Sequence, residues 1–283
     1  MPNTTFASDV PVWFITGVSS GFGSALADAA LSRGYRVVGT VRQDAQIQQF
    51  ESRAQERARA VRIDVAKPEE VSAGVKAALS AFGQVDVLVN NAGYALLGAV
   101  EELTDADIRR QMETNFFGAT EIIRAVLPHM RQRRKGHIVN ITSVGGFVGG
   151  PGWGLYCASK FAMEGLSDCL AMEVAPLGIG VTIVEPGAFR TNLGVSGTTT
   201  LEDTISDYVP TVGKTREWRA GSGGQEPGDP IKAAEAILQA VDSPSPPLRL
   251  VLGADALQAV RDKLAQMTQE LERWEATTLA TLF

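Results

Sequence analysis

The chain has 283 residues, 45% hydrophobic and 20% charged, with 29 glycines, 13 prolines and two cysteines. A chain this long buries about three quarters of its unfolded surface, so it needs neither disulfides nor a structural metal to fold. Its net charge of −6 and pI near 5.1 disfavour unaided binding to nucleic-acid phosphates or anionic membranes. Cys157 and Cys169 have no C-x-x-C spacing, which points to neither a zinc site nor a secreted framework. Residues 1–10 contain no basic segment followed by an apolar run, and no apolar stretch approaches about 18 residues. The expectation is a soluble, cytoplasmic protein of one α/β domain spanning residues 1–283.

In chain order, short β-branched runs alternate with longer amphipathic stretches. Strands are predicted over residues 12–16, 36–41, 60–65, 85–90, 137–142, 180–184 and 248–252. Near-continuous Val/Ile/Leu runs of this kind suit strands buried on both faces of a parallel sheet. Helices are predicted over 22–33, 69–82, 105–131, 156–175 and 230–241. The alternation implies βαβ units with right-handed crossovers, hence a Rossmann-type doubly wound sheet of about seven parallel strands with helices on both faces. Residues 187–229 break the pattern, being rich in Gly, Thr, Ser and Pro without sustained periodicity. Their position after the sixth strand suggests a substrate lid over 188–229, near the strand ends where open α/β sheets bind ligands. A terminal helix is expected over 255–283, where Leu257, Val260, Leu264, Met267, Leu271 and Trp274 form one apolar stripe. Packing on its own domain is the simplest fate for that stripe; a subunit contact or a pocket cover is the alternative.

The first strand runs into Thr16-Gly17-Val18-Ser19-Ser20-Gly21-Phe22-Gly23. A pyrophosphate at a helix N-terminus needs free backbone N–H groups and no Cβ atoms in the way, which such glycines provide. Further along come Asp64-Val65, Asn90-Asn91-Ala92-Gly93, Asn115, Ser143, Tyr156-x-x-x-Lys160, and Pro186-Gly187 followed by Thr191. With these motifs in this order, the sequence resembles the classical short-chain dehydrogenase/reductase family from about residue 10 to 191. The resemblance implies a dinucleotide contacted by the turn residues Gly17, Ser19, Ser20, Gly21, Phe22 and Gly23. It places Asp64 and Val65 at the adenine, the backbone of Asn91, Ala92 and Gly93 at the adenosine ribose, and Pro186, Gly187, Phe189 and Thr191 toward the nicotinamide. The second strand ends Gly39-Thr40-Val41-Arg42 and lacks the acid that would repel a 2′-phosphate. Arg42, a planar cation suited to phosphate, with a possible contribution from the Thr40 hydroxyl, favours NADP(H) over NAD(H).

Tyr156 and Lys160 are four residues apart and share one helix face. A phenol near its ordinary pKa of about 10 is a poor base at neutral pH, and a nearby ammonium favours the phenolate. Ser143 is placed to donate to a substrate oxygen. The resemblance adds that Lys160 bonds the nicotinamide ribose and that Asn115 holds a water relay. It also implies that the reaction is hydride transfer between nicotinamide and a carbonyl carbon while Tyr156 protonates the oxygen. No metal is expected, and His129 and His137 read as surface or capping residues. Phe147 and Trp153, in the glycine-rich segment before the tyrosine, favour a hydrophobic carbonyl substrate, with Tyr94 and Leu193 as further candidate lining. The leading expectation is an NADPH-dependent carbonyl reductase that also runs as an alcohol dehydrogenase. The alternatives are an NAD-dependent alcohol or hydroxysteroid-type dehydrogenase and a non-catalytic redox sensor. By resemblance, the 105–131 and 156–175 helices form the contacts of a homodimer or homotetramer, with Cys157 and Cys169 as small buried thiols on the second.

Overall fold

The computed structural model describes residues 10–194 and 197–283. The expectation about a leader in residues 1–9, and lid positions 195 and 196, lie outside the described residues. The strands, in chain order, are β1 (Val12–Ile15), β2 (Arg36–Val41), β3 (Ala58–Arg62), β4 (Val87–Asn90), β5 (Ala95–Leu97), β6 (Gly136–Ile141), β7 (Ile179–Pro186), β8 (Thr198–Thr200) and β9 (Arg249–Leu252). Seven of them form one parallel sheet in the order β3-β2-β1-β4-β6-β7-β9. The strand order reverses between β1 and β4, so a crevice opens there at the carboxyl edge. The helices are α1 (Gly21–Ser32), α2 (Ala45–Glu51), α3 (Pro68–Phe82), α4 (Asp105–Met112), α5 (Gly118–Arg133), α6 (Gly154–Val174), α7 (Lys214–Ser222), α8 (Pro230–Val241) and α9 (Ala254–Leu279).

The period-2 alternation of β1 shows how both faces are covered. Val12 and Phe14 join a core with Ile122 and Val126 of α5 and Leu170 of α6. Trp13 and Ile15 join the opposite core with Leu26 and Ala30 of α1 and Ile237 and Leu238 of α8. Each such large side chain, once buried, contributes roughly 1.5–3 kcal/mol. β2 and α8 span the predicted residues, and the other sheet strands lie within a few residues of prediction.

Four expectations change. The 105–131 helix is divided by a π-helical turn at Glu113–Phe117, whose extra residue re-aims Asn115. Among the described residues of the 188–229 segment, where no periodicity was expected, β8 pairs in parallel with β5 outside the main sheet and α7 follows. His137 is not a surface residue; it is buried, with Nε2 2.9 Å from Thr182 Oγ1 on β7, and burial pushes its pKa down to about 4. His129 is partly buried and its Nε2 accepts from the Val85 N–H at 3.4 Å, tying α5 to the start of the fourth sheet strand. Finally, the α9 stripe does not pack on its own domain: Ala256 is buried, but Leu264, Met267, Leu271 and Trp274 are exposed.

Candidate active site

The turn after β1 is held by side chains from two neighbouring strands. The Gly17 N–H donates to Thr40 Oγ1 at 2.9 Å and the Val18 N–H to the Thr40 carbonyl at 3.1 Å. Thr40 is buried, so its hydroxyl braces the turn and is not presented to a phosphate. The Asn91 and Ala92 N–H groups both donate to Thr16 Oγ1 at 2.9 Å, and Asn91 Nδ2 donates back to the carbonyls of Thr16 and Gly17. Gly17 and Gly21 adopt φ of +73° and +58°, which disfavours any side chain. A Cβ on Gly23 would overlap the Gly17 carbonyl and the Asn91 amide. Ser20, the residue before α1, makes no side-chain cap, so that side chain does not satisfy the first N–H groups of α1.

The remaining nucleotide candidates ring this turn. Arg42 follows β2, is exposed and has no partner among the described residues. Asp64 Oδ1 accepts from the Ala66 N–H at 3.1 Å, and Val65 is buried behind it. On the other side, Phe189 packs on Phe22 with ring centroids 5.1 Å apart, and Thr191 lies against Gly21. Pro186 ends β7, and the Gly187 N–H donates to Leu252. Motif reading missed two supports here. Asp255 at the start of α9 accepts from the Ala188 N–H at 2.7 Å and fills the space where a Gly187 Cβ would sit. Arg62 lies in register with Val41, beside Arg42, and pairs at 3.6 Å with the exposed Asp44.

Ser143, Tyr156, Lys160 and Asn115 come together where β6, α6 and the π-helical turn meet. Ser143 follows β6 and its Oγ accepts from the Gly145 N–H at 3.0 Å, while Gly145 also sits against the Tyr156 ring and Cys157 Sγ. Burial pushes the Tyr156 phenol up to about 12, opposed by its bond with the Ser143 hydroxyl. Burial brings the Lys160 ammonium down to about 8, opposed by the charge of Glu164. Lys160 Nζ donates to the Ile141 carbonyl at 2.9 Å and lies 5.8 Å from the Tyr156 ring centroid. The expected lowering of the phenol by the lysine is therefore absent from this arrangement; burial dominates. Asn115 Nδ2 donates to the Tyr94 carbonyl at 3.0 Å and to Ser159 Oγ at 3.1 Å, and its Oδ1 accepts from the Tyr94 N–H. It ties the post-β4 loop to α6.

Trp153 meets Tyr156 edge-on at 6.1 Å, and Phe147 is partly buried on the same loop. Tyr94 instead lies under Arg110 of α4, 6.0 Å from ring centroid to guanidinium, while Leu193 is partly exposed on the 188–229 segment. Cys157 is buried, but Cys169 is exposed, contrary to expectation.

Behind the site stands a charge cluster that motif reading passed over. Arg249 of β9 pairs with Glu164, with Glu185 at 2.7 Å and with Asp168 at 2.7 Å. Glu164 is buried one helical turn past Lys160 and packs against Gly146; burial, with Glu185 adding to it, pushes its carboxyl up to about 7. The signal was a Glu four residues beyond Lys160, on a face too buried for a solvated charge. A second buried pair joins Glu102 to Arg216 of α7, and Glu102 also accepts from the Ala99 N–H at 2.8 Å and the Thr204 N–H at 3.0 Å. Burial raises this carboxyl, but those donors and the guanidinium outweigh it and hold it at about 2.

A nucleotide-sized turn at the reversal of strand order, beside a serine, tyrosine and lysine, defines a Rossmann-type oxidoreductase. The family model for the short chain dehydrogenase matches residues 11–201. The chain is 38% identical to Oxidoreductase BOA17 of Botryotinia fuckeliana over 95% of this chain and 98% of that protein. It is 39% identical to the 3-ketodihydrosphingosine reductase of Bacteroides thetaiotaomicron, over 84% of this chain and 86% of the relative. A solved short-chain dehydrogenase from Streptomyces avermitilis superposes with a TM-score of 0.92 at 43% identity, covering 98% of this chain and 100% of that one. ElxO with NADP bound (TM-score 0.73, 26% identity, 88% and 99% covered) and a Burkholderia phymatum enzyme in complex with NAD (0.78, 26%, 94% and 96%) are also similar. The chain belongs to the short-chain dehydrogenase/reductase family, a family of oxidoreductases.

Proposed function

We propose that the protein is an NADPH-dependent carbonyl reductase acting on a hydrophobic ketone, and an alcohol dehydrogenase in reverse. The observation that carries this reading is the convergence of Ser143, Tyr156 and Lys160 beside the crevice, with the phenol held in its protonated form. The nucleotide fits the turn: Gly17, Gly21 and Gly23 leave a cradle that Cβ atoms would fill, and no Ser20 cap takes up the first N–H groups of α1. When bound, the nicotinamide supplies or accepts the hydride.

Tyr156 Oη then gives its proton to the developing alkoxide, and the Ser143 hydroxyl donates to the same oxygen. A phenol near 12 holds that proton through the neutral range, which supports the reductive direction. Lys160 orients the nicotinamide ribose and, while charged, stabilises the phenolate left behind. Asn115 fixes the loop and helix around them and carries the proposed water relay. Arg42, exposed and unpaired among the described residues, supports a 2′-phosphate, with Arg62 adding a second cation at that rim. Trp153 and Phe147 supply apolar rings at the substrate side, and the name of the Bacteroides relative supports a ketone substrate. The 188–229 segment serves as lid, and exposed Phe117, Phe161 and Met172 support subunit contacts through α5, α6 and the turn between α4 and α5.

The test is absorbance at 340 nm with aromatic, aliphatic and steroid ketones, each with NADPH and with NADH. NADPH consumption that depends on one apolar ketone class is the expected result. Consumption of NADH alone would overturn the cofactor assignment, and tight NADPH binding with no turnover of any ketone or alcohol would favour a sensor.

A further inference from the structure

We infer that α9 pairs in antiparallel fashion with α9 of a second copy of this chain, as a short two-stranded coiled coil. The 26-residue helix is about 39 Å long at 1.5 Å per residue, and it leaves the body of the protein after its first turns. Leu257, Val260, Leu264, Met267, Leu271 and Trp274 recur in alternating steps of three and four. That is a 3.5-residue repeat over three heptads, with leucine at every a position, and it describes a two-helix seam and not the wider stripe of a helix lying on a core. The exposures agree: Leu264 is 49%, Met267 43%, Leu271 70% and Trp274 57% exposed. A membrane surface is a poor occupant, because α9 carries five carboxylates against three cations.

Charge selects the occupant and its direction. The seam is flanked at the g positions by Lys263 and Glu270 and at the e positions by Arg261, Thr268 and Glu275. In a parallel pair, each Glu270 would face Glu275 of the other helix, twice by symmetry, and like charges there repel. In the antiparallel register Leu257 stacks on the partner's Trp274, Val260 on the partner's Leu271 and Leu264 on the partner's Met267. Each Lys263 then lies beside the partner's Glu270, again twice. The same register carries the exposed Leu279 and Leu282 past the partner helix's first turn, toward Asp255 and Ala188 at the edge of the partner's candidate site.

The test is oxidative cross-linking of the full chain with exposed Cys169 replaced by serine. Val260→Cys/Leu271→Cys should form a covalent dimer on mild oxidation, whereas neither single variant should. Within one helix these positions are about 16 Å apart, too far for an internal bridge. In sedimentation, Glu270→Lys should weaken association about tenfold and Lys263→Glu/Glu270→Lys should restore it. Dimers from the single variants, or stronger association of Glu270→Lys, would mean a parallel pair; no cross-link from the double variant would mean that α9 meets something other than itself. Each of these overturns the inference.

Discussion

The Lys160 ammonium lies 5.8 Å from the centroid of the Tyr156 ring, yet its hydrogen bond goes to the Ile141 carbonyl and not to the phenol. The lysine is thus anchored to the strand end beside Ser143, and burial drives the two groups apart, the phenol up to about 12 and the ammonium down to about 8. Below about pH 8 both hold their protons, which is the state that reduction needs. Tyr156→Phe should lower kcat by about 10²–10⁴-fold, the usual worth of a positioned proton donor, while NADPH binding by fluorescence titration changes little. Full activity in that variant would remove Tyr156 from the proton transfer. In the wild type, reductive kcat should decline as pH rises through about 8 and Lys160 loses its charge.

Arg42 is exposed at the end of β2, and the buried Val41 before it leaves no carboxylate there. Arg42→Asp should reverse the cofactor preference, raising the NADH to NADPH ratio of kcat/KM by at least tenfold through repulsion of the 2′-phosphate. Arg62 in register beside it should sustain part of the phosphate contact, so Arg42→Ala should have the smaller effect. An unchanged ratio in both would place the discrimination elsewhere.

The sheet and its flanking helices were legible because each depends on local pattern. A strand buried on both faces must be apolar throughout, as β1 and β2 are, and Tyr156 and Lys160 share a face once a helix is assumed. The rest depended on distant partners. The π-helical turn that aims Asn115 left no trace in periodicity, and β8 is three threonines whose partner strand, β5, is a hundred residues earlier. Nothing local to Arg249 or Glu102 says that Glu164 or Arg216 will meet them. The burial of His137 likewise depends on Gly180 of the neighbouring strand leaving room for its ring.

The Glu102–Arg216 pair is a buried link between α7 and the stretch before α4. Removing one partner of a buried pair leaves an uncompensated charge and costs about 3–5 kcal/mol. Arg216→Ala should therefore speed amide exchange across 198–222 by a hundredfold or more while β1 to β4 stay protected. If the segment is a lid, KM for the ketone should rise more than KM for NADPH. Acid should act in the same direction: a carboxyl held at about 2 stabilises the fold above its ordinary value of 4.5 and loses that contribution as pH falls through about 2. Unaltered exchange in Arg216→Ala would show that β8 alone holds the segment.

Glu164 has the opposite sign. Its carboxyl, pushed up to about 7 by burial and by Glu185, keeps its proton in the folded chain between about pH 4.5 and 7, where the unfolded chain has lost it. Folding then takes up a proton, so this contribution to stability is complete below pH 4.5 and disappears as pH rises through 7. Glu164→Gln mimics the protonated form at every pH. Relative to wild type, its Tm should therefore rise by several degrees between pH 5 and pH 8. The variant should also lower the pH at which activity declines, because a carboxylate that supports the Lys160 ammonium at higher pH is gone. Equal Tm shifts at the two pH values would mean that Arg249 keeps Glu164 ionised throughout.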